Sequence, residues 1–568
     1  MENKSKRMVS FIWLKFKPAG LLIVLQLLSL SVCGQRPQSR CYVHFDKSYY
    51  TSGEIAWYKI YLAKDFDGLD ITFESNLVDS SGHQVQHYFL ENNGDTYLNG
   101  YFKIPFDLRS GMYYLMLFGT DSSNHEHVKI LEAPIPIYND LLENESFAVE
   151  PARKESNDKL KTDLEDLQIK IMLVKDSLHR RSTVEAIISV MDSNGNPMPA
   201  NLSISVSDSD LLYGDVDQGA NVTMVTLPSD MVAGNLKNGL HVKGQIRNEL
   251  NHPTKINILG YYSAAEQKLQ YSPTDDLGKF FIDIKDFIGS KSIQFIDYES
   301  KDIKVHIGET YTIDSPKALT FDQNIQRYLL WSRQRKKTYQ LFQAEETPLT
   351  RKTFEFNKKI LRDYRTIRPD EYVQFESFPE FLNEVYLKMQ LLKQGGDSYK
   401  ADFFVNRHGA LNVIAGPPLF FIDGKMTRDA NLVAALALEQ IDKIDFFHQL
   451  KSLQQQFGLL GKDGVAMITT KSGKFQLKPD EEEDIIQIHG LLPATDFPIV
   501  PVDLTTPDPQ PFLRPQLYWN PSLNTDHTGK ASFTFVQSDD LSTFCIEVVA
   551  HGKNGSIGVS QHCYRNKY

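Results

Sequence analysis

His125 and His127, in the stretch NHEHV, stand two residues apart, the spacing that places side chains on one face of a strand. Two imidazoles make half a zinc site, which takes four N, S or O donors. With no third ligand in view, the pair reads as an exposed strand edge. The run DSDLLYGDVDQG, 208 to 219, sets four aspartates within one loop and invites calcium. An EF-hand needs glycine at its sixth position and glutamate at its twelfth. Tyr213 and Gly219 stand there instead, so the run reads as a polar loop. Phosphate-binding loops of the G-x-x-x-x-G-K-[ST] or G-x-G-x-x-G kind are absent, and so are G-x-S-x-G and the cysteine signatures of papain-like or caspase-like proteases. No residue is therefore assigned a catalytic, cofactor-binding or metal role, and no cofactor is expected. The chain reads as a non-enzyme; the alternative is an enzyme whose site is assembled from distant loops.

Two further groups need placing. FDQNIQRYLLWSRQRKKTYQLF, 321 to 342, lacks Gly and Pro and predicts a helix of about 20 residues. Its cluster Arg333, Arg335, Lys336 and Lys337 reads as a solvated helix face, with an acidic partner as the alternative. Cys545 and Cys563 lie on apolar runs either side of HGKNGS. With the turn centred on Asn554 they fall opposite each other, where cross-strand side chains stand about 4.5 to 5.5 Å apart, near disulfide range. They are predicted to be bridged, leaving Cys41 as an unpaired strand residue.

The first 34 residues read as a secretory signal: a basic start at Lys4, Lys6, Arg7, Lys15 and Lys17, the apolar run Leu21 to Val32, and a cut ahead of Gln35. Twelve apolar residues fall short of a bilayer roughly 30 Å thick. A retained anchor and a lipid on Cys33 are the alternatives. Removing the signal takes away five basic residues and Glu2, so the formal charge moves from −11 to −15. An acidic surface disfavours nucleic acid and anionic lipid. No other apolar stretch approaches 18 residues, so no membrane span is expected in the mature chain.

Strand signals dominate the remainder, with 34 Phe and 26 Tyr in runs bounded by Gly, Asn and Asp. One turn recurs: LVDSSGHQVQ (77 to 86), VMDSNGNPMPA (190 to 200), TDDLGKFFIDI (274 to 284) and TDHTGKASFTF (525 to 535) each set Asp ahead of Gly. Asp caps its own turn and Gly takes positive φ, so each predicts a β-hairpin.

Several segments resemble known families. PLFFIDGKMTRDANLVAALALEQIDKIDFFHQLKSLQQQFGLLGKDGVAMITTKSG, from Pro418, resembles the plug domain of TonB-dependent outer-membrane receptors, on Leu419 to Gly424, Ile441 to Phe446, Phe457, Gly458 and Gly464 to Lys471. Within it GLLGKDG, 458 to 464, is the turn before the last strand. The resemblance implies strands at Leu419 to Ile422, Ile441 to Phe446 and Val465 to Thr469, covered by helices at Phe378 to Val385 and Asn431 to Leu438. The outer face is left free for a partner. Only 95 residues follow Gly473, too few for a barrel of about 22 strands. CYVHFDKSYYTSGEIAWYKIYL (41 to 62) and YFKIPFDLRSGMYYLMLFG (101 to 119) resemble the second macroglobulin (MG2) domain of the α2-macroglobulin family, on Asp46, Lys47, Tyr50, Gly53 and Glu54. That family's thioester motif G-C-G-E-Q is missing, which excludes covalent protease trapping. Residues 239 to 307 resemble the carboxypeptidase regulatory sandwich.

The expected fold is mainly β: tandem macroglobulin- or immunoglobulin-like β-sandwiches plus an α+β plug-like domain, with no transmembrane barrel. The expected divisions are a signal peptide (1–34), an MG2-like sandwich (35–140), a second macroglobulin-like sandwich (150–235), a regulatory-like sandwich (236–312), a helical connector (313–369), the plug-like domain (370–476), an acidic and Pro-rich linker (477–516) and a C-terminal sandwich (517–568). Together the modules resemble a family of exported Bacteroidetes proteins. The resemblance implies a periplasmic or outer-membrane binding or scaffold protein whose partner is an envelope protein, a TonB-dependent receptor among the candidates.

Overall fold

Four short turns set the course of the chain. Asp79, Asp192, Asp275 and Asp526 each accept, through Oδ1, the N–H groups of the residues two and four further on. Gly82, Gly195, Gly278 and Gly529 sit between at φ of +70° to +87°, a region that glycine enters at little cost. Only the first turn closes a hairpin, pairing Thr72–Val78 with Gln84–Glu91. The other three carry the chain from one sheet of a sandwich to its opposite sheet, correcting the expected hairpins. Because the aspartate satisfies the turn's own N–H groups, the flanking strands need not pair with each other. Which they do is decided by the partners that cover their apolar faces.

The structure, a computed structural model, describes residues 39–142, 166–174, 178–213, 221–228, 231–248, 250–297, 303–308, 310–342, 356–373, 375–396, 398–407, 410–414, 416–476, 485–498 and 511–567. The signal, its Gln35 junction, Cys33 and half of the expected linker lie outside these residues. The protein is mainly β, in several sheets. Among the described residues no sheet closes into a barrel, and no helix is long and apolar enough to cross a membrane.

The first sandwich sets the sheet Val222–Thr226, Arg40–Phe45, Ile55–Tyr61, Tyr97–Lys103 against the sheet Tyr50–Thr51, His127–Tyr138, Gly111–Thr120, Thr72–Val78, Gln84–Glu91. Val43, Tyr58, Phe73, Leu115 and Ile135 fill its core. Val222–Thr226 was expected in the second sandwich and instead extends the first through Arg40–Phe45.

A larger correction concerns the two sandwiches expected at 150–235 and 517–568, which are one. Lys530–Val536, Thr183–Asp192 and Leu167–Leu173 form one sheet; Gln516–Asn524, Ala200–Asp208, Thr543–Gly552 and Ile557–Arg565 form the other. Three strands from the earlier segment cannot cover their own apolar side chains. Ala186, Ile188, Ile204 and Val206 pack with Phe533, Phe535, Ile546 and Val548 from the far end of the chain. Cys545 and Cys563 stand in register and form a disulfide, as their symmetry about Asn554 predicted. Cys41 is free and buried on its strand. Peptide mapping under non-reducing conditions should recover the Cys545–Cys563 linkage, and reduction should cost roughly 3 kcal/mol on the chain-entropy model; two free thiols would refute it.

The third sandwich pairs the sheet Lys279–Ile284, Leu240–Arg247, Lys304–Ile307 with the sheet Lys268–Ser272, Leu259–Ser263, Ser290–Asp297, Ile485–His489. Its last strand comes from the expected linker, because Ile486 and Ile488 complete the apolar face.

The α+β unit orders its strands Tyr364–Ile367, Ile441–Phe447, Val465–Thr470, Leu419–Ile422, Lys425–Thr427. The expected strands and the helix Phe378–Val385 are present. The helix expected at 431–438 is only Ala430–Ala434, followed by a 3-10 turn, and a further helix covers Leu450–Phe457. Tyr364–Ile367, from the expected connector, adds the edge strand. Leu459 to Asp463 turns into Val465–Thr470 as expected. Side chains alternate across a strand: Phe420 and Ile422 face the two N-terminal helices, while Leu419 and Phe421 face Tyr262 and Leu269 of the third sandwich. The face expected to be free is therefore covered, which is why the strand LFFI is apolar on both sides.

Candidate functional site

Asp46, Lys47, Tyr50 and Glu54 converge in one buried knot at the edge of the first sandwich, and the helix Gln323–Leu341 docks on it. Asp322 caps that helix by accepting the Ile325 N–H at 2.9 Å. Ile325, Tyr328 and Leu329 then pack against Tyr49, Tyr138 and Leu212, which presents the next turns to Glu54. Lys47 Nζ lies 2.6 Å from Glu54 Oε2. Tyr328 donates to Glu54 Oε1 at 2.8 Å, and Arg335 Nη2 reaches the same oxygen at 3.1 Å. Lys336 Nζ stands 2.7 Å from Asp140 Oδ1, and Ser332 donates to Asp140 Oδ2 at 2.8 Å. Both expected readings of the basic cluster are thus corrected for Arg335 and Lys336: their acidic partners lie within the chain, and Arg335 is 1 % exposed.

Electrostatics separate the two acids of the knot. Burial pushes Glu54 up, but the charges of Lys47, Arg335 and Lys336 outweigh it and hold the carboxyl well below its ordinary value. Asp46 goes the other way: burial raises it to about 7, against the opposing pull of Lys47 and the hydrogen bond from Tyr50. An acid raised on folding binds protons more readily when native. Its contribution is full below the ordinary value of 3.8, declines as pH rises toward 7, and is flat beyond. Asp46→Asn, which can still accept from Tyr50 and Trp57, should flatten that decline; at about 1.4 kcal/mol per unit the difference is of order a few kcal/mol. Urea midpoints of both proteins from pH 4 to 8 measure it, and parallel profiles would contradict the shift.

A second polar group lies between the first and second sandwiches. His44 Nδ1 is 2.6 Å from Ser203 Oγ, and His44 Nε2 is 2.8 Å from Glu547 Oε1. These are the residue types of an acyl-transfer triad. All three are nearly or fully buried, and Tyr61 OH lies 2.7 Å from the serine oxygen, so no substrate carbonyl reaches it as it stands. Lys59, buried beside them, donates to Pro521 O at 2.6 Å and lies over the rings of Tyr61 and Tyr97. Burial lowers its pKa far below that of a surface lysine. The group is a seam. Sequence reasoning missed it because its members come from three distant segments, and no local spacing marks them.

Glu74 is the centre of a third group. His127 Nε2 lies 2.8 Å, and His241 Nε2 2.6 Å, from Glu74 Oε1; His87 Nε2 is 3.7 Å from Oε2. Burial raises Glu74, but the hydrogen bonds from His127 and His241, with His87 close by, outweigh it and hold the carboxyl well below its usual range. The expected pairing of His125 with His127 is corrected. His125 sits in a turn at φ +60° and stacks on Phe281 at 4.0 Å, so the strand begins only at His127. His127 is not an exposed edge residue either, with 10 % of its side chain exposed.

Within the acidic run at 208, Asp208 caps a short helix by accepting the Leu211 N–H at 2.9 Å and accepts from Ser542 at 2.6 Å, while Asp210 accepts the Thr543 N–H at 2.9 Å. Both serve the second sandwich; Asp215 and Asp217 lie outside the described residues. The third sandwich has a surface pocket of about 390 Å³, lined in part by Tyr261, Lys268, Phe287, Lys291 and Phe356. Lys291 is there paired with Glu266 at 3.0 Å.

No protein-family model and no curated protein matches the chain. Among solved structures it is similar to trypsin-activated α2-macroglobulin from Escherichia coli, at 8% identity and a TM-score of 0.22 over 93% of this chain and 41% of that one. It is similar to Salmonella α2-macroglobulin reacted with methylamine, at 9% identity and 0.23 over 94% and 40%. Domains 5–6 of the S-layer protein SbsC align at 10% identity and 0.12 over 49% and 98%. The chain spans about two-fifths of the length of these α2-macroglobulins, and at such scores none of the likenesses assigns it a family or a role.

Proposed function

We propose that this chain is a non-enzymatic binding and scaffold protein, exported to the periplasm or outer membrane, that recognises a protein partner there. The observation that carries this reading is the small antiparallel sheet of Met389–Gly395, Ser398–Arg407 and Ala410–Ile414 beside the α+β unit. Among the described residues Ala410–Ile414 pairs with Ser398–Arg407 and with no other strand. A strand edge offers N–H and C=O groups to an extended segment of another protein. The opposite edge is partly stopped: Asn383 takes both the N–H and the C=O of Leu391. Recognition is thereby directed to one side.

The knot of Asp46, Lys47, Tyr50 and Glu54 supports reading the first sandwich as macroglobulin-like, because the residues that carry that resemblance meet in space. The parallel pairing of Leu419–Ile422 with Val465–Thr470 supports a plug-like α+β unit, and a TonB-dependent receptor is among the partners such a unit suits. The triad-like and histidine groups are closed to solvent, which favours binding over the enzymatic alternative. A photo-reactive residue at Val413, which is 52% exposed, should cross-link the full chain to an envelope protein. A chain that cross-links nothing there and co-purifies with no protein overturns the proposal.

A further inference from the structure

We propose that Glu74, His127 and His241, with His87 beside them, are ligands of a divalent transition metal of the zinc class, and that the ion fastens the third sandwich to the first. The donors come from four strands of two units. Glu74 lies on Thr72–Val78, His87 on Gln84–Glu91 and His127 on His127–Tyr138, all in one sheet of the first sandwich, whereas His241 lies on Leu240–Arg247 of the third. One ligand atom each from Glu74, His127 and His241 falls within 4.8 Å of the others. Two imidazoles turn Nε2 onto the same carboxylate oxygen. The Nε2 of the third, His87, makes no hydrogen bond and stands 3.7 Å from the other oxygen. Three imidazoles thus gather on one buried carboxylate, and the Nε2 of one of them is left without a hydrogen-bond partner.

The donor set selects the metal. Imidazole nitrogens with one carboxylate oxygen suit zinc and its neighbours, whereas calcium and magnesium take oxygen. Zinc holds such donors at about 2.0–2.2 Å in a tetrahedron, which sets them roughly 3.3 Å from one another. The contacts of 2.6 and 2.8 Å must open by about 0.7 and 0.5 Å on binding, and His87 must swing inward. Rings hold the imidazoles meanwhile: Phe281 stacks on His241 at 5.0 Å, Phe118 tilts on His127 at 5.4 Å and Phe89 meets His87 edge-on at 4.7 Å. Thr120 Oγ1, 3.3 Å from Glu74 Oε1, steadies the carboxylate. With four protein donors in a buried site, the coordination is that of a structural ion, not a catalytic one that keeps a position open.

The full chain, stripped with chelator and dialysed against zinc chloride, should retain one zinc per molecule by elemental analysis and melt at a higher temperature than the stripped protein. Cobalt(II) in its place should show the intense visible bands of a four-coordinate ion. Glu74→Gln and His241→Gln should each weaken zinc binding at least about tenfold. If a variant does not fold, zinc protection of His127 and His241 from histidine acylation in the unmodified chain, read by mass spectrometry, decides instead. A full chain that retains no zinc, gives an octahedral cobalt spectrum, or leaves both histidines equally reactive with and without zinc overturns the proposal, whatever partner the protein has. Unchanged zinc affinity in folded Glu74→Gln does so too.

Discussion

Glu54→Gln is expected to destabilise the protein by about 3–5 kcal/mol, the cost of removing one member of a buried ion pair. Lys47 and Arg335 are 3 % and 1 % exposed, so neither can turn to water once the carboxylate is gone. Glutamine keeps the shape and can still accept from Tyr328, which isolates charge as the quantity lost. The helix Gln323–Leu341 should loosen first, because Glu54 receives both its Tyr328 hydroxyl and its Arg335 guanidinium. Urea denaturation gives the magnitude, and hydrogen exchange along the helix gives the location. A loss below about 1 kcal/mol, the worth of an exposed pair, would show that the knot is hydrated. Replacing Glu54, Lys47 and Arg335 together by apolar residues should cost less than Glu54→Gln alone, since the penalty lies in the unpaired charge.

Ending the chain at residue 515 should unfold the second sandwich outright. The deleted part supplies Phe533, Phe535, Ile546 and Val548 to the shared core. At about 2 kcal/mol for each buried side chain, these four rival the whole stability of an ordinary domain, about 5–15 kcal/mol. It also removes the strands paired with Thr183–Asp192 and Ala200–Asp208, leaving edges prone to aggregation. The seam goes with it, because Glu547 and Pro521 partner His44 and Lys59. Amide protection across 167–208 should collapse, and separately expressed 516–568 should restore part of it. A truncated chain that keeps native protection there would mean that 167–208 folds alone.

Sequence was most informative where the physics is local. The turns at Asp79, Asp192, Asp275 and Asp526, the helix Gln323–Leu341 behind its Asp322 cap, and the strands Leu419–Ile422 and Val465–Thr470 follow from residues a few positions apart, and the register that joins Cys545 to Cys563 follows from the single turn between them. Backbone preference, side-chain capping and alternation of apolar residues act over that range. The mainly β character followed from the same signals.

What the tertiary structure alone decided is which surfaces meet. VMDSNGNPMPA and LVDSSGHQVQ have the same turn chemistry, yet one joins two sheets and the other closes a hairpin, because burial of the strands, not the turn, selects the partner. Arg335 reads as a surface residue in sequence and is buried, because Glu54 lies 281 positions away and supplies its counter-charge. His127 reads in sequence as an exposed strand edge sharing a face with His125, and instead meets Glu74 and His241. Desolvation and ion pairing depend on distance in space, which a chain crossing between sandwiches does not record in its spacing. Sequence by itself thus determined those turns, that helix and those strands; packing of distant segments decided their partners, and with them the polar groups around Glu54, His44 and Glu74.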